Sequence, residues 1–307
     1  MTIPIIMNIE QFRGSTVALI TPFNEKSEID EIKLRMLVDR QIEMGTNVIL
    51  ACGTTGESAT LSHEEHHHVM DIVIEQVNDR VPVICGAGSN ATHEAISLSK
   101  HAEAQGADAI LSVGPYYNKP TQEGFYRHFR TIAESVSIPL IIYNVPGRTG
   151  SNIEAKTVLR LAEIDNIIGI KEASGNLSQI MNILRSRPAG FLVLSGDDAL
   201  SLALIALGDD GTISVVANET PDLFSQMISA ALNGDWNRAR ELHQQLLPLM
   251  EANFIETNPI PVKTALAMMG IIEDNFRLPL VPMAPHNREI LRTILSDLNL
   301  LNSNNHS

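Results

Sequence analysis

The sequence predicts an α/β protein whose main unit is a (β/α)8 barrel, followed by a smaller α-helical domain. Three observations point there. Short apolar, β-branched runs recur eight times, at intervals of roughly 20–30 residues. Between them lie amphipathic stretches of helical length, so strand and helix alternate along the chain, the pattern of a parallel sheet covered by helices. After residue 215 the strand pattern stops, and the rest reads as helix. A doubly wound sheet fits the same alternation, but it would carry a G-x-G-x-x-G fingerprint after an early strand, and GAGSNA at 86–91 has only the first two glycines.

In chain order, the first expected strand is 16–20, with a helix over 31–44. The second is 48–51, stopped by Cys52-Gly53, and its helix spans 63–78, opened by Ser62 with Glu65 three residues on, the spacing of a capping box. Strands at 81–85 and 109–113 flank a helix at 92–105, and Gly114-Pro115 closes the second of these strands. A fifth run, 140–143, ends on Tyr143; the sixth, 167–170, follows a helix at 155–163 and ends just before Lys171; 192–194 and 212–215 complete the eight. Helices are expected at 221–232, 235–254, 260–269 and 286–298, punctuated by Asn233-Gly234 and by Pro259 and Pro261. The barrel is therefore assigned to 1–232 and the helical domain to 233–307, with 301–307 a frayed polar tail and Met7 an alternative start.

At 307 residues and 44% hydrophobic, the chain can bury a large core. Its net charge of -14 excludes nucleic-acid binding, which needs clustered Lys and Arg to displace counterions. No apolar run approaches the roughly 20 residues of a membrane span. The start, MTIPIIMNIEQ, lacks the basic and apolar regions of an export signal, and Cys52 and Cys85 are too few for a disulfide framework, so a reducing cytoplasm is expected. On so acidic a protein, an anionic substrate must be drawn by local cations.

The sequence places chemistry on the loops after the runs, where a (β/α)8 barrel carries its site. Lys171 is the first polar residue after Ile167, Ile168, Gly169 and Ile170. A lysine held there loses hydration, which lowers its pKa toward a nucleophilic amine suited to Schiff-base formation. Tyr143 ends the fifth run, and Arg148 follows in YNVPGRTG, where a guanidinium can grip a carboxylate with two hydrogen bonds. GTTGES, 53–58, offers the amides and hydroxyls of Thr54 and Thr55 to a small carboxylate. Tyr116 and Tyr117 follow the fourth run in GPYYN. Alone, each has an ordinary alternative: a solvated lysine, a surface ion pair, a helix-capping loop, packing tyrosines. Together they fall on four strand ends.

Other patterns carry less. His63, Glu64 and His67 match H-E-x-x-H, but the capping box puts them in a first helical turn, so no metal is assigned. The sequons at Asn90, Asn176 and Asn218 are silent in an unexported protein, and Asp197-Asp198 reads as a loop or helix cap.

GTTGESATL, GPYYN, YNVPGRTG, GIKEASGNL, LSGDD, GTISVVAN and NPIPVK closely resemble the dihydrodipicolinate synthase family, pyruvate Schiff-base lyases of the diaminopimelate route to lysine. The likeness runs from about residue 14 to about residue 300. It implies that Lys171 forms the imine with pyruvate, that Tyr143 relays protons, and that Thr54 links it to Tyr117 entering from a neighbouring subunit. It implies that Thr55 holds the pyruvate carboxylate, Arg148 that of aspartate semialdehyde, and that Gly196 and Ile213 line the pocket. No metal or organic cofactor is implied. Ser58, Ala59, His63, His66, Asn90, Glu94 and Tyr116 fall where bacterial members bind L-lysine as a feedback inhibitor; an unregulated subunit interface is the alternative. The resemblance also implies a homotetramer built as a dimer of dimers. Departures are small: Gly147 at a variable loop position, Cys52 before GTTGE, and a first dozen residues without counterpart. An N-acetylneuraminate lyase or keto-deoxy-sugar aldolase would share Lys171 and Tyr143, but Arg148 suits a small acidic aldehyde better than a polyol. A non-catalytic amino-acid-binding barrel would keep the Ser58–Glu94 group without needing the lysine and tyrosine.

Overall fold

The structure, a computed structural model, describes residues 8–301. The alternative start at Met7 and all but the first residue of the polar tail lie outside them. Eight parallel strands close into a barrel in sequence order: β1 (Gly14–Ala18), β2 (Val48–Ala51), β3 (Val83–Gly86), β4 (Ala109–Val113), β5 (Leu140–Asn144), β6 (Ile167–Glu172), β7 (Leu192–Ser195) and β8 (Gly211–Ser214), with β8 pairing back to β1. The helices are α1 (Glu31–Glu43), α2 (His63–Val77), α3 (Thr92–Gln105), α4 (Gln122–Ala133), α5 (Pro146–Thr149), α6 (Ala155–Leu161), α7 (Leu177–Ser186), α8 (Ser201–Leu207), α9 (Pro221–Leu232), α10 (Trp236–Ala252), α11 (Ile260–Met268) and α12 (Pro285–Asp297). The short α5 is an addition on the β5–α6 connection. No helix among the described residues is long and apolar enough to cross a membrane.

Alternation along the strands divides the core in two. Val48, Leu50, Ile84, Ala109, Leu111, Ile141, Leu192, Leu194 and Ile213 fill the barrel interior, with Phe12 packed among them. The residues between, such as Ile49, Cys85, Ile142, Ile170 and Val193, face the helices and form the larger cluster. Each fully buried large side chain contributes roughly 1.5–3 kcal/mol over exposure. Both cysteines are buried free thiols, with burial pushing both upward, Cys85 beyond the range in which a thiolate forms at neutral pH.

The expected strands all form, 48–51 and 109–113 with the expected ends and the others with shifted ones. The first is Gly14–Ala18 rather than 16–20, because Gly14 meets Gly211 in register and a Cβ on Gly211 would stand 2.2 Å from the Gly14 carbonyl oxygen. Close backbone approach, not apolar content, starts that strand. β6 runs two residues past the expected end and takes in Lys171 and Glu172. The capping box forms as expected, Ser62 and Glu65 each accepting from the other's backbone N–H at 3.2 and 2.9 Å. Helix α9 packs on β1, α10 on α9, and α12 on both α10 and α11.

Candidate active site

Lys171 faces the barrel interior because β6 carries a bulge. Ile167 pairs with Leu140, but Gly169 pairs with the next residue of β5, Ile141, so two residues of β6 oppose one of β5. Ile167 points to the helices; strict alternation from it would send Lys171 outward too, and the inserted residue resets the phase. Gly169 is required there, since its Cβ would lie 2.8 Å from both the carbonyl oxygen and the Cβ of Leu192. Glu172, next along, is buried facing outward, where its carboxylate accepts from Asn144 at 3.1 and 3.2 Å, Gln179 at 3.1 Å and the Ser174 amide at 2.7 Å. That network locks the orientation of the strand end.

Tyr143 is the register partner of Lys171 on β5, and the ammonium nitrogen lies 4.4 Å from the phenol ring centroid. Lys171 is only 7% exposed. Burial lowers its pKa from 10.5 to about 7; the Asp198 carboxylate opposes this, and the Arg148 cation adds to it. Burial pushes Tyr143 up to about 12, against the Arg148 charge and a hydrogen bond with Thr54. At neutral pH the pair is therefore a lysine with a substantial free-amine fraction beside a protonated phenol, the combination an imine-forming site needs.

The strand-end loops close around this pair. Gly196 packs on the Lys171 stem: a Cβ there would meet Lys171 Cε at 3.0 Å and Ala173 Cβ at 2.7 Å. Asp198 accepts from the amides of Val215 and Val216 at 3.0 and 2.8 Å, and burial raises its pKa to about 6. Its neighbour Asp197 caps the chain at Ala199, as expected of this dipeptide; the tie from Asp198 across to the end of β8, and its charge near Lys171, were not legible. Arg148 rides on α5, which Pro146 starts and Gly150, at φ 70°, ends. It makes no ion pair among the described residues and donates to the Asn258 carbonyl at 3.3 Å.

A cleft of about 430 Å³ is lined by Thr54, Val145, Arg148 and Thr149 together with Ser58, Ala59, His63, His66, Glu94 and Tyr116. A smaller one of about 50 Å³ reaches Lys171 and Tyr143, and Thr54, Ser58, His66, Gly88 and Val113 line both. The proposed catalytic and lysine-binding groups thus share walls. His63 pairs with Glu94 at 2.8 Å, and Ser89 also bonds Glu94. Asn90 lies outside the lining and donates to the Tyr116 carbonyl at 3.2 Å. His66 has its Nε2 bonded to the Gly86 carbonyl at 2.8 Å. Thr55 and Ile213 are buried outside both clefts, Thr55 accepting from Asn258 Nδ2 at 3.0 Å. Tyr117 is not brought to Tyr143 within one chain: it is 90% exposed, with φ 68°, a strained backbone for a tyrosine. No group of three or more His, Cys, Asp or Glu that could hold a metal ion is found among the described residues.

Comparison with known proteins agrees with this geometry. The sequence model of the Dihydrodipicolinate synthetase family matches residues 11–298. The chain belongs to that family. It is similar to 4-hydroxy-tetrahydrodipicolinate synthase of Chlorobium phaeobacteroides, 51% identical over 96% of this chain and 100% of the relative. Among solved members of the family, the Acinetobacter baumannii dihydrodipicolinate synthase complexed with pyruvate superposes with a TM-score of 0.92 at 47% identity, over 94% of this chain and 99% of that one. The enzyme from Cyanidioschyzon merolae with lysine bound gives 0.92 at 40% identity, over 95% and 99%.

Proposed function

We propose that this chain condenses pyruvate with L-aspartate 4-semialdehyde through a Schiff base on Lys171, the 4-hydroxy-tetrahydrodipicolinate synthase reaction of the diaminopimelate route to lysine. The observation that carries it is a nearly enclosed lysine, its pKa lowered to about 7, set opposite Tyr143 at the mouth of the barrel. The free amine of Lys171 attacks the keto carbon of pyruvate, and loss of water gives the imine. The imine draws electrons from the neighbouring methyl group, which gives up a proton to form the enamine. The enamine carbon attacks the aldehyde, a carbon–carbon bond forms, and the new alkoxide takes a proton. The amino group of the second substrate then displaces Lys171 from the imine carbon and closes the ring.

Tyr143, protonated at neutral pH, moves these protons with Thr54 and with Tyr117 of the partner subunit. The resemblance assigns the pyruvate carboxylate to Thr55, which lies outside the two clefts, bonded to Asn258, and Arg148, which makes no ion pair among the described residues, takes that of the aldehyde substrate. Gly196 backs the Lys171 stem, and Ile213, buried in the barrel interior outside the two clefts, keeps the lining role only as the resemblance implies it. The exposure of Tyr117 supports a second copy completing the relay across a tight dimer, the unit from which the resemblance implies a homotetramer. Residues 1–232 form the catalytic unit in this reading and 233–307 a helical one, in the cytoplasm. The wall shared by the two clefts supports L-lysine as a feedback inhibitor: Glu94 for an ammonium group, with Ser58, Ala59, His63, His66, Asn90 and Tyr116 around it. A coupled assay with pyruvate and aspartate semialdehyde, with and without L-lysine, tests both sites. Turnover that L-lysine lowers is the expected result; no turnover at all contradicts the reaction.

A further inference from the structure

The loop that carries Thr54 and Thr55 is held from a distant part of the chain by a buried ion pair. Lys263, on α11, reaches Glu57 of that loop, and both side chains are completely excluded from solvent. The aromatic faces of Phe23 and Phe276 lie 4.3 and 5.2 Å from the lysine nitrogen, so the pair sits in a dry cage in which neither partner has water as an alternative. Glu57 is the hub of its loop. Its amide donates to the Thr54 carbonyl at 3.0 Å, and its own carbonyl accepts from the Thr60 amide at 2.9 Å, which closes the turn carrying Ser58 and Ala59. It holds φ 51°, a left-handed conformation unfavourable for glutamate that its side-chain anchor can sustain. Two flanking ties come from the same C-terminal segment: Asn258 to Thr55, and Arg277 to the Thr60 carbonyl at 3.2 Å and to Glu65 at 2.6 and 2.8 Å.

We propose that Lys263 is a positioning residue: through its buried pair with Glu57 it fixes the loop that presents Thr54 and Thr55 to the reaction on one side and Ser58 and Ala59 to the effector cleft on the other. This rests on the reaction assigned above. A buried ion pair is a weak device for stability, since a well-packed apolar pair of similar volume does as well. It is directional, however, and holds one backbone geometry where an apolar contact tolerates several.

The test compares Lys263→Met, Glu57→Gln and the double variant in the full chain, reading melting temperature, amide exchange over residues 53–61, and kcat and KM for pyruvate separately. Lys263→Met leaves the Glu57 carboxylate in the cage without a counter-charge, with only the Arg277 amide at 3.5 Å as a partner, and lowers the melting temperature. The double variant has no buried charge and recovers it. If the pair positions the loop, both Lys263→Met and the double variant exchange faster over 53–61, and KM for pyruvate rises roughly 10- to 100-fold, the scale of a displacement of about 1 Å in a binding group. A double variant with the wild-type KM and wild-type protection overturns the proposal, since the pair would then serve stability alone. Should Lys263→Met not fold, the double variant carries the comparison. A wild-type protein that forms no pyruvate imine overturns the assigned reaction instead, and amide exchange still decides whether Lys263 fixes the loop.

Discussion

Tyr143 and Lys171 are register partners on adjacent parallel strands, and they share the barrel interior because β6 spends one residue more than β5 just before them. Without that bulge, the lysine that follows Ile167, Ile168, Gly169 and Ile170 would point at the helices with Ile167. Local strand geometry therefore decides whether this lysine is reactive or merely buried, and the phenol opposite it follows from the same register.

The first consequence is a pH dependence. Lys171 is held at about 7, and with its free amine as the proposed nucleophile, imine formation at limiting pyruvate falls by roughly tenfold per unit below that pH and levels off above it. Trapping with cyanoborohydride across pH 5–9 measures this. A profile still rising toward pH 10 would mean an ordinary, solvated lysine. Stability carries the matching sign: the unfolded lysine keeps its proton up to 10.5, so between about 7 and 10.5 the unfolded state holds more protons and folding gains as pH rises, while below 7 the burial cost is present in full.

The charges around Lys171 set that limb. Removing the Arg148 cation by Arg148→Ala moves the apparent pKa of trapping up, and removing the Asp198 charge by Asp198→Asn moves it down. Unmoved limbs in both variants would mean that burial alone sets the lysine.

Arg148→Ala also separates the two substrates. Pyruvate imine still forms at pH values above the shifted limb, while kcat/KM for aspartate semialdehyde drops roughly 10- to 100-fold, the worth of a lost charged hydrogen-bond pair. Steady-state kinetics with the aldehyde varied gives the answer, and unchanged values would take the second-substrate carboxylate away from this residue.

Gly196→Ala probes the packing behind the lysine. The added methyl would stand 3.0 Å from Lys171 Cε and 2.7 Å from Ala173 Cβ, so the amine must move. Pyruvate trapping is expected to slow by roughly 100-fold with the melting temperature little changed. Trapping at the wild-type rate would show that Lys171 has room the geometry denies it.

Glu94→Ala addresses the effector cleft. The carboxylate now faces His63 and Ser89, and in the proposed reading its removal takes away the counter-charge for the ammonium groups of L-lysine. The concentration of L-lysine giving half inhibition is expected to rise at least about tenfold. Inhibition identical to that of the parent would place effector binding elsewhere.

Much of this was legible in the chain, and the reasons differ from residue to residue. The eight strands announce themselves because a barrel strand buried on both faces is mostly apolar and carries almost no charge, and Lys171 stands out as the charge that breaks such a run. The start of the first strand is not legible because Gly14 and Ser15 are small and not apolar yet buried, held by close backbone contact with β8. The bulge in β6 was invisible, since it is a relation between two strands. So was the clamp on the GTTGES loop, whose partners Glu57 and Lys263 lie 206 residues apart. One signal for it was present: Lys263 is the only charge in IPVKTALAM, a helix otherwise without charged residues, and a lysine in such a setting needs a buried partner. Asn258 gave no such sign, as a polar loop residue is ordinary until its contacts are seen.

The central claim is that Lys171, and no other lysine, carries the substrate. Incubation with pyruvate and sodium borohydride, followed by peptide mapping, tests it most directly. A single reduced pyruvyl adduct on the peptide containing Lys171, with turnover lost in proportion to labelling, is the predicted result. An active protein whose adduct maps to another lysine, or that pyruvate and borohydride leave unlabelled, would contradict it.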